Sequence, residues 1–374
     1  MEGVANQLAE TIREASTNKT PLRIVGGGTK DFYGNPTTGE LLCTSSYRGI
    51  VDYEPTELVI TARAGTPLAE IESTLKDKGQ MLAFEPPHFS KGFPSPLTPL
   101  PAGEGNSTLG GTIAAGLSGP RRPYAGAVRD LVLGVRILDG TGADLRFGGQ
   151  VMKNVAGFDV SRLMAGAMGT LGVILEVSLK TLPLPPAEIT LHQQCNEADA
   201  LRLMNEWAGQ PLPVSATCWT HGDLRIRLSG AASAVEAARK KLGGTVVDAP
   251  LASTLWKGVR DHTDAYFTRS GALWRLSVKS SAPVIVLPGV QRLEWSGALR
   301  WLQTDASAVA VRDAAQKAGG HATLFRLDDH SDALRKNGGV FHPLSPALAA
   351  IHRKLKQTFD PVGILNPGRL YLDI

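Results

Sequence analysis

The order of apolar and polar positions predicts alternating helices and strands over the first third of the chain. Apolar residues at helical spacing begin the chain, and a short apolar run typical of a strand follows at 21–25. A second β run covers 57–64, after which apolar residues recur every three or four positions. There we predict a helix with Thr66 as its N-cap, Pro67 as its first residue and Gly79 at its end.

Further strands are predicted up to a proline-rich break. Residues 131–147 have the pattern of a hairpin that turns at Asp139-Gly140. Residues 173–180 alternate between apolar and polar positions, as in a strand with one buried face. Three prolines at 183–186 then interrupt the pattern, and we place a domain boundary there. The proline-rich segment 84–101 is predicted to be an ordered or semi-ordered loop.

The part after the boundary follows the order β, α, β, β, α, β, which is typical of a ferredoxin-like α+β unit. The predicted strands are 188–193, 224–228, 272–278 and 322–327. The predicted helices are 198–208, 233–242 and 307–318. A basic helix begins near residue 345. The pattern therefore divides the chain into residues 1–183, 184–344 and a C-terminal segment, 345–374.

Composition narrows the class of protein. The 374 residues carry a net charge of +4 and are 43% hydrophobic, which allows large cores and argues against an electrostatic nucleic-acid binder. Cys43, Cys195 and Cys218 are scattered, so they predict neither an iron–sulfur cluster nor a structural metal site within this chain. The sequence shows neither a signal peptide nor a membrane-spanning segment, and we expect a cytoplasmic protein.

The first candidate site is the glycine run Gly26-Gly27-Gly28-Thr29-Lys30, directly after a predicted strand. Without Cβ atoms, successive backbone N–H groups can converge on an anion such as a phosphate. The run is not a P-loop, because the lysine and serine or threonine spacing is absent, and it is not a Rossmann fingerprint, because Asp31 stands at the third glycine position. A common β-turn remains the alternative interpretation.

Two more glycine-rich runs follow, LGGTIAAGLSG at 109–119 and NVAGFD to AGAMGTLGVI at 154–174. Small residues in the first allow close packing against a ligand, although a tight turn and a closely packed helix explain it equally well. The second leads through glycines into the strand at 173–180, as if backbone there met the edge of a ligand.

The order of the three runs resembles the flavin-binding domain of the vanillyl-alcohol-oxidase family, and in detail the FAD-binding subunits of bacterial glycolate oxidases. The matching stretches are 22–30, 108–116, 151–182 and FDPVGILNPGRL at 359–370. The most specific is VMKNVAGFDVSRLMAGAMGTLGVILEVSLK. The resemblance implies an α+β protein: a two-subdomain FAD-binding domain with a smaller ferredoxin-like cap.

The resemblance also implies roles for particular residues. It implies that the FAD pyrophosphate is bound by Gly26, Gly27, Gly28, Thr29 and Lys30. It implies further contacts to the pyrophosphate and the ribityl chain from Ser107, Thr108, Gly110, Gly111 and Thr112. Backbone at Gly172, Val173 and Ile174 is expected to meet the adenine, and Asn366 to lie near the flavin. Residues 20–34 contain no histidine, so the FAD is expected to be held non-covalently.

One feature of related D-2-hydroxyacid dehydrogenases is missing, namely their histidine-rich E-H-G-x-G motif. The eight histidines are dispersed, which argues against a metal site. Arg275 and Arg300 are candidate clamps for a substrate carboxylate, since each lies in a predicted strand beside a tryptophan. Exposed arginines on a sheet face are the more common explanation of such a pattern.

These observations leave three hypotheses. The first is an FAD-binding subunit of a multi-subunit glycolate (2-hydroxyacid) oxidase, which oxidises glycolate to glyoxylate with a homologous FAD-containing catalytic subunit and an iron–sulfur subunit as partners. The second is a self-sufficient FAD-dependent 2-hydroxyacid dehydrogenase, and the third a non-catalytic scaffold with the flavin fold. We favour the first, with any membrane contact made through the partners.

Overall fold

The computed structural model describes residues 2–89, 106–149, 159–327 and 339–374. The chain packs as two compact units. Unit 1 comprises Met1–Leu117, Ala127–Pro183 and Pro343–Ile374, and unit 2 comprises Ser118–Gly126 and Leu184–His342. Most of the predicted proline-rich loop, the residues 103–105 and the NVAGF part of the third glycine run lie outside the described residues.

In the described residues, unit 1 combines six helices with three sheets. The helices are α1 (Glu2–Asn18), α2 (Leu68–Lys76), α3 (Leu109–Ala115), α5 (Val128–Leu131), α6 (Val160–Met164) and α11 (Pro346–Phe359). Helix α4 belongs to unit 2. Its strands are β1 (Leu22–Val25), β2 (Glu40–Cys43), β3 (Ile50–Glu54), β4 (Val59–Arg63), β5 (Gln80–Met81), β6 (Val132–Leu138), β7 (Asp144–Gly148), β8 (Val173–Lys180) and β9 (Leu182–Pro183).

The main sheet of unit 1 has, within the described residues, five antiparallel strands in the order β3-β4-β8-β6-β7. β1 and β2 form a separate parallel pair, and β5 pairs with β9. The apolar face of α1 packs on β1 and β8, where Ile12, Leu22 and Leu175 are fully buried. This core fixes the end of β1, from which the glycine run emerges.

Unit 2 is built on one large sheet. Its strands are β10 (Ala187–Gln194), β11 (Val214–Thr220), β12 (Asp223–Gly230), β13 (Thr245–Val247), β14 (Leu273–Ser277), β15 (Val290–Glu294), β16 (Leu299–Gln303) and β17 (His321–Arg326). Its helices are α4 (Arg122–Ala125), α7 (Glu197–Ala208), α8 (Ala232–Leu242), α9 (Ala249–Asp261) and α10 (Ala308–Lys317). Over the described residues, the eight strands form an antiparallel sheet in the order β13-β10-β12-β11-β15-β16-β14-β17.

This sheet contains the ferredoxin-like strand order twice. In the first half the strands lie in the order β13-β10-β12-β11, which is the fourth, first, third and second strand of that half. The second half has the same order when it is read from its own outer edge, β17-β14-β16-β15. The halves join where β11 pairs with β15. The predicted ferredoxin-like α+β fold is confirmed. The pattern of apolar residues, however, predicts only one such unit, and its four predicted strands correspond to β10 and β12 of the first half and β14 and β17 of the second.

Two local predictions are wrong. Thr66 does not cap α2, because its hydroxyl accepts from the N–H of Gly49 at 2.9 Å and donates to the carbonyl of Gly49 at 3.2 Å. The N-cap is Pro67, and α2 ends at Lys76 rather than at Gly79. β8 is buried on both faces over its first five residues, since it is the central strand of its sheet.

Candidate functional site

A cavity in unit 1 is lined by all three glycine-rich runs and by the C-terminal segment. Its lining includes Gly26 to Lys30, Thr108, Gly110, Gly111, Gly172, Ile174 and Asn366. The folding of unit 1 therefore brings together eleven of the fourteen residues that the resemblance assigned to FAD. Ser107, Thr112 and Val173 do not line the cavity.

The first run offers a set of unused backbone donors. The N–H groups of Gly26, Gly27, Gly28 and Thr29 make no hydrogen bond to any residue that the structure describes. Gly28 has a φ of +70°, a left-handed conformation that favours glycine and turns the chain back at this point. Four consecutive unsatisfied N–H groups at the wall of a cavity form an anion-binding concavity.

The glycines at 26 and 27 are also required by close packing. A Cβ on Gly26 would lie 2.6 Å from the hydroxyl oxygen of Thr108, and a Cβ on Gly27 would overlap the carbonyl oxygen of Asn106. The first glycine run therefore packs directly against residues 106–108, which lead into the second run. Only residues without side chains allow that approach.

Polar side chains next to the glycine run form hydrogen bonds with one another. The ammonium of Lys30 donates to the hydroxyl of Ser107 at 3.1 Å and lies 5.7 Å from the ring centre of Phe89. The hydroxyls of Thr29 and Ser107 are 3.0 Å apart. Ser107 thus joins the two runs, and Lys30, which is 8% exposed, brings a positive charge to an anion site.

The second run is a short helix whose N–H groups are already used. Thr108 caps α3, and its hydroxyl accepts from the N–H of Gly111. The N–H of Gly110 donates to the carbonyl of Ala64 at 2.8 Å. The predicted pyrophosphate contacts of Gly110 and Gly111 therefore cannot run through these N–H groups, although both residues line the cavity. The hydroxyl of Thr112 is buried and has no partner among the described residues.

The third run places strand backbone at the cavity wall. Gly172 and Ile174 line the cavity, and a Cβ on Gly172 would lie 3.0 Å from the carbonyl oxygen of Leu138. The side chain of Val173 points the other way, into the core of unit 1. Alternation along β8 thus separates a ligand-facing residue from a core residue.

Asn366 ties the C-terminal segment to the cavity. Its side-chain oxygen accepts from the N–H of Ile24 at 2.8 Å, and its amide nitrogen donates to the carbonyl of Met168 at 2.7 Å. Both ends of the side-chain amide are therefore hydrogen-bonded to backbone, and the residue itself has a left-handed φ of +41°. In the structure, Asn366 holds the end of β1 against the turn before β8. Its contact with the flavin stays a prediction.

Asp360 shapes the turn that presents Asn366. Its carboxylate accepts from the N–H groups of Gly363, Ile364 and Leu365 at 2.7–3.1 Å. It also pairs with the ammonium of Lys356 at 2.7 Å, and both side chains are buried. Burial lowers the pKa of Lys356 against the opposing effect of Asp360.

Arg369 is a cavity residue that sequence reasoning missed. Its guanidinium donates to the carbonyls of Asp31, Tyr33 and Asn35 at 2.7–3.0 Å and so fixes the loop after Lys30. Burial raises the pKa of Asp31, although Arg369 and Arg23 oppose that shift. The only signal was its place in the NPGR sequence, beside the predicted Asn366.

In unit 2, the two candidate clamps have different surroundings. Arg275 is half-buried on β14, stacks on Trp295 with 5.2 Å between its Cζ and the ring centre, and makes no hydrogen bond through its guanidinium to another described residue. Arg122 stacks on the same ring at 4.3 Å. Trp295 and Ser296 both have left-handed backbone, with φ of +53° and +54°.

Arg300 is fully buried and fully engaged. Its guanidinium donates to the carbonyls of Gly297 at 3.1 Å, Pro283 at 2.6 Å and Ala282. These bonds tie the connection between β14 and β15 to the connection between β15 and β16. The geometry argues against the predicted role of Arg300 as a substrate clamp, because its side chain is fully buried and each of its three nitrogens already donates to a backbone carbonyl.

The unsatisfied N–H groups, the buried lysine and the small-residue walls fit the pyrophosphate and the flat rings of a dinucleotide. A family model described as an FAD binding domain matches residues 4–93, and one described as the C-terminal domain of FAD linked oxidases matches residues 328–370. Fold and cavity thus define an FAD-binding protein of the vanillyl-alcohol-oxidase type, an FAD-linked oxidoreductase. Glycolate oxidase subunit GlcE of Escherichia coli K12 is 46% identical over 367 residues, which cover 98% of this chain and 97% of that protein. The chain belongs to the GlcE family.

Two other similarities are more distant. Glycolate oxidase subunit GlcD of Bacillus subtilis 168 is 28% identical over 197 residues, or 52% of this chain and 39% of that protein. The solved structure of an alkyldihydroxyacetonephosphate synthase superposes with a TM-score of 0.64 at 16% identity, covering 98% of this chain and 76% of the other. The second similarity shows the shared fold.

No helix in the described parts of the chain is long and apolar enough to cross a membrane. Over the same residues, no group of three or more His, Cys, Asp or Glu side chains is arranged to hold a metal ion.

The stability of unit 2 should depend on the protonation of Glu294. Burial raises the pKa of this carboxyl from 4.5 to about 7, and its Oε1 accepts from the indole N–H of Trp301 at 3.0 Å. The folded state holds the proton more tightly, so this contribution is complete below pH 4.5 and is lost as pH rises through about 7. Chemical denaturation from pH 4.5 to 8 should show that Glu294→Gln removes a slope of up to about 1.4 kcal/mol per pH unit. Parallel pH profiles of the two proteins would contradict this expectation.

Proposed function

We propose that this chain is the FAD-binding, GlcE-type subunit of a multi-subunit oxidase that converts glycolate to glyoxylate. The observation that carries the proposal is the 46% identity to the E. coli glycolate oxidase subunit along almost the whole of both chains. The cavity of unit 1 supports it, because Gly26 to Thr29 line the cavity with backbone N–H groups that a pyrophosphate could accept from. We propose that the FAD is bound without a covalent link and that acid precipitation releases it.

Within this proposal, the residues of unit 1 bind and orient the cofactor. Gly26 to Thr29 would donate backbone N–H groups to the pyrophosphate, and Lys30 would add positive charge. Backbone at Gly172 and Ile174 would border the adenine end. Bound FAD would supply a redox centre that can relay electrons within the complex.

Substrate binding within this chain would fall to unit 2. Arg275 is the remaining clamp candidate, since its guanidinium lies 5.2 Å from the ring centre of Trp295 and its hydrogen-bond donors have no acceptor among the described residues. The second function, a self-sufficient dehydrogenase, is favoured by this one feature. The absence of an E-H-G-x-G motif from the sequence counts against it, because that motif supplies the histidine-rich site of the related dehydrogenases.

We therefore propose two partners. A homologous, GlcD-like FAD subunit would oxidise the substrate, and an iron–sulfur subunit would take the electrons, because the three separate cysteines of this chain provide no cluster site. Binding to these partners would take place in the cytoplasm or at the inner face of the cell membrane.

Affinity purification of the tagged chain from its native cells tests the proposal. We expect co-purification of a second flavoprotein and an iron–sulfur protein, and glycolate-dependent dye reduction only in the assembled complex. Recovery of the chain alone with full dye reduction would favour the self-sufficient enzyme. A complex whose FAD in this chain is never reduced during turnover would favour the scaffold.

Substitution of Arg275 should separate the two catalytic hypotheses. If a partner subunit holds the substrate, Arg275→Ala will leave the KM for glycolate of the assembled complex unchanged, and this is the result we expect. If this chain holds it, loss of a bidentate, charge-assisted contact will raise KM by tens- to over a hundred-fold, or about 2–3 kcal/mol. Arg202→Ala, at an exposed position on α7, is the matched control for loss of a surface arginine.

A further inference from the structure

The register of the unit 2 sheet gathers polar residues on one face at the join between its two halves. Across β12, β11 and β15, Arg225 lies opposite Cys218, and Cys218 opposite Glu294. Two residues further along β11, Thr220 lies opposite Asp223 of β12 and opposite Arg292 of β15. Directly opposed residues share a face, so these six side chains form one polar area.

This polar area lines a cavity that is partly open to solvent. Leu255 and Val259 of α9 and residues from Asp264 to Arg269 contribute its other walls. The cavity measures about 380 Å³ and is lined by four cationic or titratable nitrogen side chains. These are Arg225, Arg269, Arg292 and His221, of which Arg269 and His221 are exposed.

One ion pair in the cavity wall is complete. The guanidinium of Arg292 donates to the carboxylate of Asp264 at 2.7 Å and to the hydroxyl of Thr220 at 2.9 Å. The other oxygen of Asp264 accepts from the N–H of Tyr266 at 3.0 Å. Asp264 is therefore already paired with Arg292 and hydrogen-bonded to backbone.

The other two arginines of the cavity have incomplete partners. The Nη1 of Arg225 is buried and has no hydrogen-bond partner among the described residues, while its Nη2 pairs with Asp223 at 3.6 Å. That carboxylate also accepts from Gln194 and lies 3.0 Å from the ring nitrogen of His192. Arg269 is exposed, and among the described residues its guanidinium makes one hydrogen bond, to the ring of His221 at 3.4 Å. A buried guanidinium N–H without an acceptor costs about 1–3 kcal/mol, so Arg225 is short of an acceptor oxygen.

We propose that this cavity in unit 2 binds a small oxyanion, a carboxylate or a phosphate, between Arg225 and Arg269. The anion supplies the acceptor that Arg225 lacks and the negative charge that Arg269 lacks. The apolar side chains of α9 and the ring of Tyr266 limit its size. The proposal is independent of glycolate oxidation, because it rests only on the charges and cavity of unit 2.

Calorimetric titration of the FAD-saturated full chain with malonate, and separately with phosphate, tests the proposal at constant ionic strength. Saturation with FAD keeps the added anion from the concavity of unit 1. We expect one saturable site for at least one of the two anions, and the stronger response identifies the ligand as carboxylate or phosphate. Arg225→Leu and Arg269→Gln should each weaken binding about tenfold or more.

Two control variants make the test specific. Arg202→Gln removes an exposed arginine elsewhere in unit 2, and Arg275→Leu removes the clamp candidate, so both should leave the anion affinity unchanged. Circular dichroism and the Tm without anion establish that each variant is folded. Absence of saturable binding to the native chain, equal binding by a folded Arg225→Leu variant, or loss of binding only in Arg275→Leu would overturn the proposal.

Discussion

Gly27→Ala should leave the chain unable to retain FAD. The added Cβ would overlap the carbonyl oxygen of Asn106, a backbone atom that cannot turn away as a side chain does. The glycine run at 26–28 and the backbone at Asn106 must then separate. This movement displaces the N–H groups that we propose bind the cofactor. We expect a cost of about 3 kcal/mol, or over a hundredfold in FAD affinity, measured by flavin absorbance near ~450 nm after reconstitution and gel filtration.

Gly3→Ala is the matched control, since a Cβ at that position of α1 meets no atom within 4 Å. It should bind FAD as the native chain does. Both proteins should give the same far-ultraviolet circular dichroism, because unit 2 does not depend on the glycine run. If a folded Gly27→Ala protein retains FAD at native affinity, the concavity at 26–29 is not the pyrophosphate site.

Asp360→Ala should cause the largest loss of stability. It leaves the buried ammonium of Lys356 without its counter-charge and removes the acceptor of three backbone N–H groups. Breaking a buried ion pair from one side costs about 3–5 kcal/mol. Urea denaturation with saturating FAD should show this loss as a lower midpoint for the transition of unit 1.

The contrasting variant is Asp373→Asn, which breaks the ion pair with Arg353. Both of those side chains are more than half exposed, so the expected loss is at most about 1 kcal/mol. Equal effects of the two substitutions would mean that the Asp360 pair is not essential to the turn at 361–366.

The sequence predicted the elements whose signals are local. The opening helix, the strand before Gly26, the hairpin and β8 are confirmed because their apolar periodicity extends over several residues. A triple glycine after a strand also occurs in common β-turns, so the run became recognisable only through its order with the two later glycine-rich runs.

Features that depend on residues distant in sequence were missed. Arg369 reaches the loop after Lys30 across more than three hundred residues, and nothing near it indicates those carbonyls. Arg300 had the expected strand and neighbouring tryptophan, but its burial depends on a loop that the strand pattern does not describe. The second ferredoxin-like half went unrecognised because β15 carries Arg292 and Glu294 on its buried face, so its sequence lacks the apolar alternation of a strand.

The bridge made by Asn366 has a consequence for the order in which the protein is completed during translation. Ile24 and Met168 leave the ribosome early, whereas Asn366 follows only after the whole of unit 2 has been synthesised. Unit 2 is continuous except for residues 118–126, so it can fold while the wall of the FAD cavity is still open. We therefore expect cofactor capture to follow translation, and a nascent chain interrupted before Asp360 to carry a folded unit 2 and no flavin.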